Sequence, residues 1–157
     1  MGDADIQALA RIAARREPDF FDRCLAEQRN QKRMVLVAEQ DGKIVGCAHL
    51  VWSPAYAPFR RTDIPEIQDL AVVSAARRNG IGALLVDACE QSARQAGKTA
   101  IGIGVGLDSA YGAAQRLYVR KGYIPDGAGI CHDDAPVRAG ELRAVDDLLT
   151  LKMIKNL

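Results

Sequence analysis

A mixed α/β fold, in which one sheet holds antiparallel and parallel strands and carries helices on its faces, is predicted by two observations. A β-branched hairpin opens the strand-rich part of the chain, and beyond it strand-like and helical runs alternate as in a βαβ unit. With 157 residues, 48% of them hydrophobic, the chain is sized for one domain, 1–157, closed around a core; no repeat, low-complexity tract or linker divides it.

Asp3 to Arg16 sets Ile6, Leu9, Ala10, Ile12 and Ala13 mostly at three- and four-residue spacing, a helical face that Glu17-Pro18 ends or redirects. Phe20, Phe21, Cys24 and Leu25 begin a second helical pattern, followed by the polar run Gln28 to Lys32. The period then becomes that of strands. Met34 to Glu39 and Ile44 to Trp52 are apolar and β-branched, and Gln40-Asp41-Gly42-Lys43 supplies the tight turn of a hairpin. Ser53 to Pro65, with Pro54, Pro58 and Arg60-Arg61, reads as a long loop, a type that in compact domains tends to be functional or mobile. Ile64 to Val73 returns to strand composition. Gly80 to Ala96 is helical, with Ile81, Leu84, Leu85, Ala88 and Cys89 as its apolar face and Gly97 as its stop. Thr99 to Leu107 reads as a strand, Ser109 to Lys121 as a helix stopped by Gly122, and Tyr123-Ile124 as the start of a further strand. Pro125 to Asp146 is rich in turn residues, and Leu148 to Ile154 is a closing strand.

Lys and Arg number 21 against 20 Asp and Glu, a formal net charge of +1, so no global field favours nucleic acid or an anionic membrane as partner. Apolar stretches are broken by charge or glycine short of the ~18 residues a membrane span needs, and the N-terminus lacks the basic flank and apolar core of a signal peptide. A cytoplasmic protein is expected. Cys24, Cys47, Cys89 and Cys131 carry no C-x-x-C or Cys/His spacing, which argues for buried small apolar residues over a metal cluster or a disulfide framework.

Eight of the 14 glycines fall between Gly80 and Gly122, and no proline lies between Pro65 and Pro125, so the backbone best able to approach a ligand closely is concentrated in that window. Arg77-Arg78-Asn79-Gly80-Ile81-Gly82 follows a predicted strand and opens a helix. Unpaired backbone N–H groups and the positive end of the helix dipole converge there, and glycine permits close approach, as a phosphate-like anion requires. A plain strand-to-helix turn needs glycine as well. The G-x-G-x-x-G fingerprint fails at Leu85 and no Gly-Lys-Ser/Thr follows, which weighs against dinucleotide and nucleotide-triphosphatase readings. Ile101-Gly102-Ile103-Gly104-Val105-Gly106 alternates branched residues with glycine. Interior glycine weakens a strand, so the bare face is expected to lie close against something, either a tightly packed helix or a ligand.

The succession Leu70-Ala71-Val72, then Arg77 to Gly82, then Ala-x-x-Leu-Tyr-x-x-Lys-Gly-Tyr from Ala114 to Tyr123, resembles the GNAT superfamily of acetyl-coenzyme A dependent N-acetyltransferases, over about residues 34 to 124. The resemblance implies central parallel strands, ending near Val73 and Leu107, that splay so that the pantetheine arm of acetyl-CoA inserts between them. Bare faces at Gly102, Gly104 and Gly106 are compatible with that approach. It implies that main-chain groups of Leu70 and Val72 bond the acetyl carbonyl and the pantetheine amides. Arg77, Arg78, Asn79, Gly80, Ile81 and Gly82 would hold the pyrophosphate through backbone N–H groups, with Arg77 or Arg78 adding charge. Tyr118 would stand beside the thioester sulfur; the plainer reading is a core tyrosine on an amphipathic helix. Tyr111 occupies the position where the family commonly places a cofactor-binding asparagine. The strand that usually precedes the first helix is expected to be missing, since Gly2-Asp3-Ala4-Asp5 leads straight into helix.

The implied activity is transfer of acetyl to a primary amine of a small molecule or peptide by direct attack, with no metal. An ammonium with a reference pKa near ~10.4 is about 3.4 units from pH 7, so presenting the free amine costs roughly 4.6 kcal/mol, part of which a base or water relay offsets. Glu66 coincides with the glutamate that some GNAT enzymes use as base, and it is expected as base or water-positioning group, against a solvated carboxylate at a strand entrance. Simple alternation places it on the same side as Gln68 and Leu70, with Asp69 on the opposite face. Tyr118 would protonate the leaving thiolate, and backbone donors near Leu70 would stabilise the oxyanion.

The alternative is a GNAT-fold module that senses acyl-CoA or supports an assembly without turnover; a transferase of longer acyl chains is a third reading. Trp52, Tyr56 and Phe59 with Arg60-Arg61, and the run Ile124 to Gly129, could line the acceptor site or simply pack. His49 and His132 lack partners at ligand spacing and are expected in core or surface roles. Relatives often pair through terminal strands, so a homodimer is compatible with the sequence, which carries no decisive signature of one.

Overall fold

The computed structural model describes residues 2, 5–12, 17 and 19–157. Its seven strands form one sheet in the order β1-β2-β3-β4-β7-β5-β6. β1 (Arg33–Gln40) and β2 (Lys43–Val51) are the predicted antiparallel hairpin. Asp41 and Gly42 at its tip have φ of 51° and 70°, the paired positive torsions that match the twist of the flanking strands. β3 (Glu66–Val72) runs antiparallel to β2, α4 (Ile81–Gln95) crosses over, and β4 (Ala100–Gly106) returns parallel to β3. After α5 (Gly112–Arg120) come β5 (Ile124–His132), the two-residue β6 (Ala135–Pro136) and β7 (Leu149–Asn156), which inserts antiparallel between β4 and β5.

Helices cover both faces. Leu85, Val86, Cys89 and Ala93 of α4 pack on Leu50, Ile67, Ile101, Ile103 and Val105, and Tyr118 of α5 joins the same cluster. Each aliphatic side chain so buried contributes about 1.5–3 kcal/mol, which makes this layer the main source of cohesion. On the other face Leu9 of α1 (Ile6–Ile12) and Phe21 of α2 (Phe20–Arg29) cover Cys47, while Phe59 of α3 (Ala57–Arg61) packs with Tyr56 and Cys131. All four cysteines are free and buried.

Several expectations need correction. Part of the stretch 53–65 is the helix α3, whose Pro58 lies in the first turn, where a missing N–H costs no helical bond. The strand after Tyr123 does not stop at Pro125: β5 continues to His132, its ladder with β7 interrupted between Pro125 and Ile130. The buried stripe of α4 is rotated from the predicted one, so that Leu84 is 66% exposed whereas Val86 and Ala93 are buried. Glu90 is also buried on α4, its carboxylate accepting from Lys155 Nζ at 2.7 and 2.8 Å. The helical positions predicted at 3–4 and 13–16 and the break at Pro18 lie outside the described residues, among which no strand precedes α1.

Candidate functional site

The two parallel strands barely touch. β3 and β4 pair only at Glu66 with Gly102 and Ile67 with Ile103, and beyond these rungs they diverge. Each is held from outside, β3 by β2 and β4 along its whole length by β7. The expected splay is therefore present, with its fork at Glu66 and Ile67.

A bulge on β3 sets what faces the gap. Asp69 has a φ of 52°, and Ala48 of β2 lies opposite both Asp69 and Leu70, since the flanking pairs are His49 with Gln68 and Cys47 with Ala71. An extra residue of this kind bends the strand and exchanges its two edges. At the start of β3 the Pro65 carbonyl accepts from Gly102 N–H at 2.9 Å, so odd positions face β4; at its end Val73 N–H donates to the Val45 carbonyl at 2.9 Å, so odd positions face β2. Leu70 and Val72 consequently present their peptide groups to the open gap.

The same exchange corrects the predicted faces. Glu66 and Gln68 do share a side, joined by a hydrogen bond of 2.9 Å from Gln68 Nε2 to Glu66 Oε2. Leu70 instead packs with Val72 and Ile67 in the α4 cluster. Asp69 is not opposite Glu66: its carboxylate approaches His49 Nδ1 at 3.4 Å, and His49 is cross-strand from Gln68. His49 itself is fully buried between the sheet and Phe20 and Phe21, a core role.

β3 leads through a single turn, Ser74–Ala76, into the glycine-containing segment. Gly80 caps α4 with a φ of 81°, a torsion that disfavours side chains even though a Cβ there would meet nothing within 4 Å. The first helical bond is from Leu84 N–H to the Gly80 carbonyl at 3.0 Å, which leaves the amides of Ile81, Gly82 and Ala83 at the open helix mouth. A Cβ on Gly82 would only touch Leu117 Cδ2 at 3.6 Å, so the fold leaves room for one. Arg77 is tied back, its Nε donating to the Val72 carbonyl at 2.9 Å. Arg78 and Asn79 are exposed, Arg78 with a φ of 65°.

Glu66 is not a solvated carboxylate. It is 1% exposed, and Lys152 Nζ donates to its Oε1 at 2.6 Å. The same ammonium lies 2.6 Å from Asp134 Oδ1 and 5.2 Å from the centre of the Tyr56 ring, whose hydroxyl donates to Asp126 Oδ2 at 2.7 Å. Burial opposes the charge on Lys152, but Glu66 and Asp134 outweigh it and hold the ammonium above its ordinary pKa. Lys152, Asp134 and Asp126 escaped the sequence reading. The one local signal was a lysine between Leu151 and Met153 in a central strand.

The glycine row of β4 has a different cause from a cofactor lying along it. A Cβ on Gly102 would collide with the ring of Phe59, and one on Gly106 with the ring of Tyr111. At Gly104 it would stand 3.4 Å from Lys152 Nζ and 3.5 Å from Glu66 Oε1. The bare face is thus filled by the protein's own side chains, two rings and an ion pair. Tyr111 donates from its hydroxyl to Asp147 Oδ1 at 2.8 Å. Tyr118 packs on the α4 side, opposite Glu66; it is 5% exposed, and burial raises the pKa of its phenol.

Among the described residues no helix is long and apolar enough to cross a membrane, and no group of three His, Cys, Asp or Glu side chains is arranged to hold a metal ion. The model of the acetyltransferase (GNAT) family matches residues 5–123. No curated protein matches the chain. Solved structures do. The ribosomal-protein-alanine N-acetyltransferase of Brucella melitensis is 23% identical with a TM-score of 0.75, covering 100% of this chain and 97% of that one. An aminoglycoside 6'-N-acetyltransferase complexed with coenzyme A is 17% identical with a TM-score of 0.70, covering 99% and 92%. A GNAT family acetyltransferase of Elizabethkingia anophelis with acetyl-CoA bound is 20% identical with a TM-score of 0.58, covering 85% and 82%. At these identities the likeness is one of fold.

Proposed function

Since the chain belongs to the acetyltransferase (GNAT) family, we propose that it transfers acetyl from acetyl-CoA to a primary amine of a small molecule or peptide. The observation that carries the reading is the β3–β4 fork, open beyond its two rungs and continuous with the amide-lined mouth of α4. A gap edged by the peptide groups of Leu70 and the N–H of Val72 suits an amide-containing arm, and a helix mouth suits a pyrophosphate, so the residues present fit acetyl-CoA. Two of the related structures were solved with coenzyme A or acetyl-CoA.

Acetyl-CoA supplies the acyl group as a thioester. Arg78, Asn79, Gly80, Ile81 and Gly82 would hold the pyrophosphate through their amides, with the exposed Arg78 guanidinium as the nearer charge, since Arg77 braces Val72. Leu70 and Val72 would bond the pantetheine amides, and the Leu70 amide would hold the carbonyl oxygen as negative charge builds on it. Tyr111 would wall the slot in place of an asparagine. The acceptor would enter from the Glu66 side. Both oxygens of Glu66 are engaged, so it acts by orienting a water that takes the acceptor's proton and relays it to bulk solvent. The amine nitrogen then attacks the acetyl carbon. As the carbon–nitrogen bond forms and the carbon–sulfur bond breaks, the nitrogen releases its second proton to the same water, Tyr118 gives its proton to the departing sulfur, and the phenol regains one from solvent. Four free buried cysteines suit a reducing compartment such as the cytoplasm.

Release of free thiol from acetyl-CoA, followed with polyamines, aminoglycosides, amino acids and lysine or N-terminal peptides, tests this reading. Turnover with at least one amine class is expected. Saturable binding with no turnover on any amine would favour an acyl-CoA-binding module, and neither heat nor thermal protection from coenzyme A would end the assignment.

A further inference from the structure

Lys152 is a charge in the middle of a central strand, far in sequence from every motif of the family. In the β4–β7 ladder it lies opposite Gly104, and the missing side chain at that position lets its ammonium cross β4 to reach β3. There it bridges Glu66 Oε1 and Asp134 Oδ1, 2.6 Å from each, while Gln68 occupies the other oxygen of Glu66. We propose that Lys152 is a positioning residue for acetyl transfer, fixing the Glu66 carboxylate at the fork of β3 and β4.

The inference rests on the reading that Glu66 works on the acceptor. A buried ion pair is a poor device for stability, because removing two charges from water costs about what their attraction returns, and apolar side chains of similar volume usually serve as well. A triad of charges at the fork is better explained by what it does to Glu66. The ammonium is the shared positive partner of Glu66 and Asp134 and holds the Glu66 carboxylate in one rotamer, so that any water it binds is aimed at a constant point. The other groups facing the pair are Tyr56 on the approach to α3, Cys131 on β5 and Asp134 in the β5–β6 turn, with Asp126 behind Tyr56. Lys152 is the one cation among them.

The experiment compares the pH profiles of kcat and KM for the wild type, Lys152→Met, Lys152→Arg, Glu66→Gln and the double variant Lys152→Met/Glu66→Gln, using the best amine from the acceptor screen. Lys152→Met should lower kcat at pH 7 roughly 10-fold and move its acidic limb to higher pH, with KM for acetyl-CoA within about 2-fold. Lys152→Arg should restore the profile in part. The double variant, which removes both charges and so avoids an unpaired buried carboxylate, should fold and be no slower than Glu66→Gln. A carboxyl 13C resonance, assigned by its absence in Glu66→Gln, should change with pH at a higher pH in Lys152→Met than in the wild type, without any acceptor present. Full activity of Glu66→Gln would remove the premise. Impaired Glu66→Gln with an unmoved Lys152→Met profile and resonance, or additive losses in the double variant, would overturn the role of Lys152 alone.

Discussion

Gly104 faces Lys152 across the β4–β7 ladder, and the space its absent side chain leaves is where the Lys152 ammonium meets Glu66. The three glycines of β4 therefore differ in tolerance. A Cβ on Gly104 makes ordinary contact, at 3.4 to 3.5 Å, whereas one on Gly102 enters the ring of Phe59, itself buried. Gly104→Ala should fold and work nearly as the wild type. Gly104→Val should cost up to roughly 10²-fold in kcat by displacing the ion pair. Gly102→Ala should destabilise the fold by about 1–3 kcal/mol through overpacking. Urea denaturation beside steady-state rates checks all three; equal effects at 102 and 104 would contradict this account.

The bulge at Asp69 has its own test. A β-branched residue disfavours a φ of 52°, so Asp69→Val should cost about 1–3 kcal/mol and weaken coenzyme A binding by re-aiming the peptide groups of Leu70 and Val72. Asp69→Gly keeps the torsion and should keep the affinity. Calorimetric titration with coenzyme A separates the two, and matching affinities would show that the bulge does not aim the gap.

Gly80 and Gly82 should respond in opposite ways. Gly80→Ala strains a left-handed cap and should lower stability by about 1 kcal/mol. Gly82→Ala should leave melting unchanged, since its Cβ reaches Leu117 at 3.6 Å, yet weaken coenzyme A roughly 10- to 100-fold by blocking charge-assisted bonds to the helix mouth. Wild-type binding by Gly82→Ala would move the anion site elsewhere.

Tyr118→Phe removes a hydroxyl that makes no hydrogen bond among the described residues, so the melting temperature should hold. Its kcat should fall roughly 10²-fold with little change in KM for acetyl-CoA. Because burial raises the pKa of this phenol, it stays protonated at ordinary assay pH, and any basic limb between pH 6 and 9 should survive the substitution. Disappearance of that limb would assign it to Tyr118 and refute the point.

Buried thiols contribute to alkaline stability. Burial pushes the Cys89 thiol up to about 12, with the Glu90 carboxylate adding to it, and the Cys47 thiol up to about 12 as well, with Asp69 second. A group whose folded pKa is raised stabilises fully below its unfolded pKa and loses that contribution as pH climbs through the folded one. From about pH 9 to 12 each thiol should remove roughly 1 kcal/mol of stability per pH unit. Cys89→Ala should flatten the fall of the urea midpoint over that window; an unchanged slope would locate the effect elsewhere.

What could be read along the chain was whatever is demanded locally. Asp41-Gly42 can hold a two-residue hairpin, Gly80 can hold a left-handed cap, and Ala114 to Tyr123 carries a helix and its stop, because torsion and periodicity are properties of neighbouring residues. The glycine-bearing turn at 77–82 was legible for the same reason, whereas Leu70 and Val72 were singled out only by the family resemblance. The tertiary structure decided the rest. One extra residue at Asp69 reversed the edges and faces of β3, which no alternating pattern announces, and Lys152 reached Glu66 from 86 positions away through the space above Gly104. Charge pairing across strands depends on register, and register is settled only when the whole sheet closes.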